Sequence, residues 1–266
     1  MKAETVQIIF LGSSLQMPRL KYLLRRYIPH KVYFISAKED DDRKRKTVEQ
    51  MVKTLKKEML GWVAQTTSHV KMSFFDFHDS FPKLVELMMT ERRQGKEVII
   101  NIHGCSIPLS IATLLAANLT GSKVFWVEPT RWGADKHGAY EFFSPTGAVG
   151  TRQIDLPIGL DLPPRPGSDV LVYMRKRGGV VRGRLAAMAQ EIGLKALGTN
   201  IKKNSSGIVK LSKTFTRLRD SGFVKTRKVS NRLFEVSLTE RGDMIGEVLV
   251  LLDPQQDNPS GGHRGP

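Results

Sequence analysis

The sequence has very little cysteine and no long apolar run. Cys105 is the single cysteine among 266 residues, which excludes an intramolecular disulfide and a cysteine-rich zinc ribbon. No uninterrupted apolar stretch reaches the ~18 residues typical of a membrane span. The first residues, MKAETVQIIFLG, lack a basic region followed by a small-residue cleavage site, so we expect a first strand there rather than a signal peptide. These absences predict a cytoplasmic protein that does not associate with membranes.

Common catalytic and cofactor motifs are also missing. No GxGxxG follows the first predicted strand and no GxxxxGK[ST] occurs, so neither an ordinary dinucleotide site nor P-loop ATP hydrolysis is expected. The six histidines show no metal-ligand spacing. A nucleophile built from Cys105 and His103 stays open, because a thiol at a helix start has a lowered pKa; the alternative is a small buried cysteine and a histidine that hydrogen-bonds in the core. We predict no cofactor, no metal and no enzymatic activity.

The net charge of +16 is unevenly distributed. Residues 168–241 carry 17 Lys/Arg and 5 Asp/Glu, whereas residues 1–167 carry 24 and 17. A cationic block beside a nearly balanced one predicts a polyanion-binding unit joined to a unit of another kind. Charge that serves only solubility is the alternative.

The first half of the chain alternates between strands and helices. Short apolar runs predict strands at Val6–Leu11, Lys31–Ile35, Val70–Phe75, Val98–Ile102 and Val124–Val127. Three- and four-residue apolar spacings between them predict helices at Thr47–Val63, Phe81–Met89 and Leu109–Leu119. The pattern predicts an α/β domain over residues 1–152, with a Rossmann-like, doubly wound, mostly parallel sheet. The Pro- and Gly-rich residues 153–167 are predicted to be a linker.

Residues 168–252 have a different order of elements. Apolar spacings predict three helices, the third capped by Ser205 or Ser206, followed by a hairpin of Phe223–Val229 and Arg232–Leu238. Ser230 and Asn231 have the length and type of a hairpin turn, and Thr239 begins a last apolar helix. We interpret this order as an α+β winged helix-turn-helix domain. Residues 253–266 are predicted to be disordered.

Basic residues recur on the third helix and on the hairpin of this domain. Cationic side chains on such a helix suit the major groove of double-stranded DNA, and a basic hairpin suits its phosphate backbone. The predicted DNA contacts are Lys210, Lys213, Thr214 and Arg217 on one face of the helix, and Lys225, Arg227, Lys228 and Arg232 on the hairpin. A solvated helix with an ordinary charged hairpin is the alternative. The long connection at residues 194–204 is unusual for a helix-turn-helix.

Two loops of small residues follow the first and fourth predicted strands. A helix start beside such loops presents free backbone N–H groups and a positive dipole end, which favour an anion. Ser106 is predicted to cap this helix and Pro108 to lie in its first turn. The candidate ligand-binding residues are Gly12, Ser13 and Ser14 in the first loop, and Asn101, Ile102, His103, Gly104, Cys105, Ser106, Ile107 and Pro108 in the second.

Three segments resemble known families. Residues 98–129, VIINIHGCSIPLSIATLLAANLTGSKVFWVEP, resemble the second motif of CARF domains, the CRISPR-associated Rossmann fold. FLGSSLQMPRL, residues 10–20, stands where the first ligand loop of that family lies. LTERG, residues 238–242, resembles MarR-type winged helices. The order is similar to that of archaeal CARF–winged-helix regulators, some of which are encoded beside CRISPR loci. His103 and Cys105 depart from the CARF motif, and the basic residue often found near Ile107 is absent.

The resemblance implies a homodimer whose two CARF domains form one pocket for a cyclic oligoadenylate, with the tetra-adenylate expected, or for another nucleotide. It implies a ligand-responsive DNA-binding transcription regulator. Three alternatives stay open: a CARF protein that also cleaves its cyclic ligand, a winged-helix DNA binder without a nucleotide ligand, and an interaction protein whose winged helix packs on a protein partner. The apolar last helix either contributes to the dimer or packs internally.

Overall fold

The computed structural model describes residues 4–38, 42–59, 66–130, 147–155, 162–192, 204–230 and 233–253. The chain divides into two compact units, Met1–Leu160 and Asp161–Pro266. Arg232, most of the connection at residues 194–204, and the predicted disordered tail beyond Asp253 lie outside the described residues.

The first unit contains six strands and four helices in its described residues. The strands are β1 (Thr5–Phe10), β2 (Lys31–Ala37), β3 (Thr66–Met72), β4 (Glu97–Asn101), β5 (Lys123–Glu128) and β6 (Gly150–Ile154). The helices are α1 (Met17–Arg26), α2 (Asp42–Met59), α3 (Phe77–Arg93) and α4 (Ile107–Thr120), and a 3-10 turn, Ser14–Gln16, precedes α1.

The sheet of the first unit has the order β3-β2-β1-β4-β5-β6. Strands β1 to β5 are parallel, and β6 pairs antiparallel with β5. The chain passes from β1 through β2 to β3 at one edge of the sheet. It then returns to the other side of β1 to form β4 and β5. Right-handed crossovers therefore place α1 and α2 on one face and α3 and α4 on the other. The predicted mostly parallel, doubly wound sheet is confirmed, and its strand order reverses between β1 and β4.

Several predicted bounds in this unit are wrong. The third strand spans Thr66–Met72 rather than the predicted Val70–Phe75, because its first half is polar and contains no apolar run. Helix α1 and strand β6 are absent from the sequence-based prediction. Strand β6 extends to Ile154, two residues into the predicted linker, and the next helix begins at Gly167, where the predicted linker ends.

The core of the first unit forms where α1 and α2 cover β1 and β2. Its buried side chains are Ile9, Leu11, Leu20, Leu24, Val32, Phe34, Val48, Met51, Leu55 and Met59. Removing this apolar surface from water is the main driving force for folding the sheet. The packing holds the carboxyl ends of β1 and β4 side by side, since Ile9 lies in register with Asn101.

A buried carboxylate ties together the opposite, amino-terminal edge of the sheet. Glu91 is fully buried and accepts hydrogen bonds from Lys31 Nζ at 2.6 Å, Tyr33 Oη at 2.5 Å and Lys96 Nζ at 2.9 Å. Burial alone would raise the pKa of the Glu91 carboxyl, but these hydrogen bonds outweigh it and hold the pKa at about 2. The network joins α3 to the beginnings of β2 and β4.

The second unit contains four helices and a small antiparallel sheet in its described residues. Its elements are α5 (Gly167–Lys176), β7 (Val180–Gly183), α6 (Leu185–Ile192), α7 (Asn204–Asp220), β8 (Val224–Lys228), β9 (Phe234–Leu238) and α8 (Glu240–Leu252). The sheet order is β7-β9-β8. Strand β7 is absent from the sequence-based prediction. Helix α7 already begins at Asn204, so Ser205 and Ser206 lie inside it and the predicted cap at either serine is wrong.

The start of α8 is fixed by the LTERG segment. Thr239 caps the helix, since its Oγ1 accepts a hydrogen bond from the Gly242 backbone nitrogen at 3.0 Å. A Cβ atom on Gly242 would overlap the carbonyl oxygen of Phe223, so only glycine fits there. Arg241 covers the Phe223 ring at 4.6 Å. The motif therefore locks α8 onto the beginning of the hairpin. Helix α8 packs internally against α5, where Gly246 approaches the Leu171 carbonyl oxygen.

Among the described residues, no helix combines the length and the apolar character needed to cross a bilayer.

Candidate functional site

The two predicted ligand loops meet at the carboxyl edge of the parallel sheet, between β1 and β4. This is the point where the strand order reverses, and open α/β sheets bind ligands in the crevice there. A Cβ atom on Gly12 would overlap the Gly104 carbonyl oxygen, and one on Gly104 would overlap the Phe10 carbonyl oxygen. Gly104 also has a φ of +92°. Both glycines are therefore needed for the close approach of the two backbones.

The first loop turns directly into a helical segment. Ser13 caps the 3-10 turn, accepting a hydrogen bond from the Leu15 backbone nitrogen at 3.3 Å, while the Gln16 side chain accepts from the Ser13 nitrogen. Ser13 is thus occupied in shaping the loop. Ser14 is exposed and remains available to a ligand.

Asn101 and His103 anchor the second loop from below. Asn101 is fully buried; its Oδ1 accepts from the His103 backbone nitrogen at 3.2 Å, and its Nδ2 donates to the Arg19 carbonyl oxygen at 3.5 Å. His103 Nε2 lies 2.8 Å from the backbone nitrogen and 2.8 Å from the carbonyl oxygen of Val127, so it bonds either group according to its tautomer. The imidazole therefore faces β5, in the role of a histidine that hydrogen-bonds in the core.

The electrostatics of His103 favour the neutral imidazole. The residue is only 7% exposed. Desolvation by burial is the main cause that lowers its pKa to about 4, the positive charge of Arg19 lowers it further, and the backbone bond to Val127 opposes both. At neutral pH His103 therefore contributes no positive charge to the crevice.

Helix α4 begins at the second loop as predicted. Ser106 caps it, accepting from the Leu109 backbone nitrogen at 3.4 Å, and Pro108 lies in the first turn. The Ser106 hydroxyl also donates to the Phe74 carbonyl oxygen, which joins this loop to the segment after β3. Ile107 projects from the helix start and is 78% exposed. Pro108 has no N–H and the Leu109 N–H is bonded to Ser106, so the start of α4 favours an anion through the positive end of its dipole.

The structure contradicts a reactive Cys105. Burial raises the pKa of the Cys105 thiol well above its ordinary value, and hydrogen bonds with Ser110 and Thr113 compensate only in part. The desolvation of the thiolate outweighs the favourable helix dipole at this position. Cys105 packs into the start of α4, and His103 faces away toward Val127. The pair does not form a nucleophile and base.

Sequence reasoning missed Arg19, which lies in the first turn of α1 beneath the two loops. Its side chain is only 5% exposed, and within the described residues its Nε has no hydrogen-bond partner and its guanidinium no ion pair. Desolvation lowers its pKa. The signal in the sequence was an arginine directly after Met17 and Pro18, in the turn where a helix dipole disfavours a cation.

The second unit presents the predicted basic helix face, with one exception. Lys210, Lys213 and Arg217 are exposed on α7, opposite the buried Leu211 and Leu218. Thr214 is 6% exposed and donates to the Lys210 carbonyl oxygen at 2.8 Å. Its predicted place on the exposed face of this helix is wrong, because a residue three positions after Leu211 falls at the border of the apolar stripe.

The predicted basic hairpin is also on the surface. Lys225, Arg227 and Lys228 are exposed along β8, whereas Val224 is buried. Arg232 lies outside the described residues. Backbone hydrogen bonds join Ser230 to Leu233, and the predicted turn residue Asn231 lies outside the described residues.

No group of three or more His, Cys, Asp or Glu side chains that could hold a metal ion occurs in the part of the chain that the structure describes.

A family model described as "HFX_2341_N:-like, N-terminal" matches residues 5–132, slightly less than half of the chain. No curated protein sequence matches the chain.

Three solved structures illustrate the likeness in fold. Can2 from Sulfobacillus thermosulfidooxidans in complex with cyclic tetra-adenylate is 9% identical with a TM-score of 0.37, over 92% of this chain. The protein VC1899 from Vibrio cholerae is 13% identical with a TM-score of 0.38, over 93%. Csm6 from Enterococcus italicus, bound to cyclic hexa-2'-fluoro-hexa-dAMP, is 7% identical with a TM-score of 0.42, over 83%. The matched regions cover 63%, 66% and 56% of those proteins respectively. Similarity at this level transfers neither a ligand nor an activity.

Proposed function

We propose that the chain is a homodimeric, ligand-responsive transcription regulator, in which the second unit binds double-stranded DNA and the first senses a cyclic oligoadenylate. The observation that carries the proposal is the exposed cationic surface of α7 and β8, formed by Lys210, Lys213, Arg217, Lys225, Arg227 and Lys228. It stands in the same chain as a two-loop crevice suited to an anion. Together the two features fit a sensor joined to a DNA-binding unit.

The order of elements in the second unit supports a winged helix-turn-helix. Among the described residues of this unit, a helix, a strand, two further helices, a two-stranded hairpin and a last helix occur in this order, and the short β7 pairs with the hairpin. In that fold the helix before the hairpin enters the major groove. Here that helix is α7, which carries cations on its exposed face. We expect most of its contacts to be with phosphates rather than bases.

DNA binding is tested by substituting Lys213 and Arg217 together with alanine. Removal of one cation that neutralises a phosphate should reduce the slope of log affinity against log salt by about 0.9, so the double variant should show a slope smaller by about two units. Fluorescence anisotropy with a labelled duplex at several salt concentrations measures it. Lys53 and Lys57, exposed on α2 of the first unit, provide a charge-matched control double variant. If the slope decreased equally in both double variants, binding would reflect general attraction between charges, and the assignment of α7 as the DNA-binding helix would be wrong.

The ligand class is supported by the resemblance of residues 98–129 to the CARF motif and by the geometry of the crevice. Gly12 and Gly104 bring two backbones together, and the positive end of the α4 dipole lies there, where it favours a phosphate. Calorimetric titration with cyclic tri-, tetra- and hexa-adenylate tests the assignment, and the tetra-adenylate is expected to bind most tightly. Absence of binding to all three would overturn this part of the proposal.

The proposal describes a binding protein rather than an enzyme, with no cofactor. The raised pKa of the Cys105 thiol and the hydrogen bond of His103 to Val127 do not favour a nucleophile and base. Chromatography of the nucleotide after titration tests this directly. Intact cyclic ligand is expected, and linear products would instead support cleavage of the ligand.

The homodimer is supported by the outer surface of α4. This helix has no charged side chain over its whole length, and its Ile107 and Ile111 are 78% and 49% exposed. An uncharged helix with large apolar side chains on its outer surface is ordinarily covered, and we assign a second copy of the chain as its cover. Light scattering after chromatography should give a dimer mass for the wild type and a monomer mass for Ile111→Glu. Val209, an exposed apolar residue on α7, provides the control Val209→Glu, which should remain dimeric.

A further inference from the structure

We propose that Arg19 is an anion-binding residue of the crevice, which pairs with a phosphate of the bound ligand. The inference rests on the proposed function for the identity of the ligand, but not for the anion site itself. It assigns the crevice a positive charge that the sequence motif lacks, because the second loop contains no lysine or arginine.

The surroundings of Arg19 are unfavourable for a positive charge. Arg19 is 5% exposed, and its guanidinium has no acidic partner within the described residues. Burying an unpaired charge is unfavourable, because no partner compensates the loss of its hydration. Its position in the first turn of α1 adds to this cost, because the positive end of the helix dipole repels a cation. The group does not stabilise the fold as it stands, and a bound anion would compensate both costs.

The position of Arg19 on α1 directs its side chain toward the two loops. Helical side chains point back toward the amino terminus of their helix. The amino terminus of α1 lies at the carboxyl edge of the sheet, directly after the first loop. The backbone of Arg19 is tied to the second loop through Asn101, and its charge acts on His103. The guanidinium is therefore directed toward the loops rather than toward the middle of the sheet.

Several positive groups converge at the crevice. The first turns of α1 and α4 both lie at the crevice, so the positive ends of two helix dipoles are directed toward it. The imidazole of His103 is neutral at neutral pH, so it carries no positive charge that could compete with Arg19 for the anion. Arg19 can form two parallel hydrogen bonds with one phosphate. The combination selects a phosphate or phosphodiester over a neutral ligand.

The test compares Arg19→Met with wild type. Inorganic pyrophosphate is titrated at constant ionic strength, and unfolding in urea is followed by tryptophan fluorescence, which reports only the first unit because all three tryptophans lie there. Without pyrophosphate the variant should be at least as stable as wild type, since an unpaired buried charge is removed. Pyrophosphate should raise the unfolding midpoint of wild type and leave that of Arg19→Met unchanged. Arg25→Met, an exposed arginine at the other end of α1, should respond as wild type does.

Calorimetry with cyclic tetra-adenylate completes the experiment. Loss of one charge-assisted hydrogen-bond pair should weaken binding by about tenfold to a hundredfold, and Arg19→Lys should recover part of the loss. If pyrophosphate protects in an Arg19-dependent way but no cyclic oligoadenylate binds, the anion site stands and the proposed ligand is wrong. If tetra-adenylate binds wild type and Arg19→Met equally, the proposed function stands and the role of Arg19 is wrong. The role of Arg19 is also wrong if Arg19→Met is less stable than wild type but pyrophosphate raises its unfolding midpoint as much. It is likewise wrong if pyrophosphate does not raise the unfolding midpoint of wild type.

Discussion

The neutral imidazole of His103 makes the first unit sensitive to mild acid. Its pKa is about 4 in the folded chain, against an ordinary value of about 6.5. The unfolded state therefore binds a proton more readily than the folded state does. By linkage, the stabilisation is complete above about pH 6.5 and is lost as the pH falls toward 4.

The magnitude follows from the difference between the two pKa values. A separation of about 2.5 units at about 1.4 kcal/mol per unit corresponds to a loss of about 3 kcal/mol between about pH 7 and pH 4. About half of it should already be lost near pH 5.5. A domain of this kind has a total stability of only about 5–15 kcal/mol, so the loss is readily measurable.

Tryptophan fluorescence isolates the effect, because Trp62, Trp126 and Trp132 all lie in the first unit. Urea unfolding of wild type and His103→Gln is measured at about pH 7, 5.5 and 4. Glutamine retains a hydrogen-bonding group near Val127 and does not titrate. The stability difference between wild type and variant removes the contribution of the carboxylates and should fall by about 3 kcal/mol. A difference that stays constant over this range would refute the reasoning.

Three further predictions concern packing and reactivity. Gly242→Ala should destabilise the second unit by about 3 kcal/mol in thermal unfolding, since a carbonyl oxygen already occupies the space of its Cβ. The control Gly178→Ala, with open space around it but a positive φ, should cost only about 1 kcal/mol in the same measurement. Glu91→Gln should cost about 3 kcal/mol by removing the buried carboxylate that pairs with the half-buried Lys31 and Lys96, against under ~1 kcal/mol for Glu97→Gln, whose partner Lys123 is exposed. Cys105 should react with iodoacetamide at least ~10-fold more slowly in the folded chain than in urea, as followed by mass spectrometry; equal rates would contradict its raised pKa.

Strong apolar periodicity made most of the fold predictable. The buried strands β1, β2, β4 and β5 are visible in the sequence as runs of Val, Ile and Phe, and the parallel sheet follows from the helices between them. Weaker signals failed. The leucines of α1 stand among arginines and a proline, and β6 and β7 are short strands with polar residues, paired only by the tertiary structure.

The candidate site was predictable in its location but not in its chemistry. Glycines and the Ser106–Pro108 helix start mark the loops in the sequence. The orientation of His103 toward β5, the burial of Cys105 and the unpaired charge of Arg19 depend on side-chain packing between distant elements. Spacing along the chain contains no information on desolvation, and desolvation decides the pKa of each of these groups.

The loop after β4 is held at three places before any ligand arrives. Asn101 fastens it to α1, His103 to β5 and Ser106 to the segment after β3. A loop fixed in this way has little conformational entropy left to lose when it closes on a ligand. Association should therefore proceed in a single fast phase, without a slow step for ordering the loop. Differences in affinity among nucleotides would then arise in their dissociation rates.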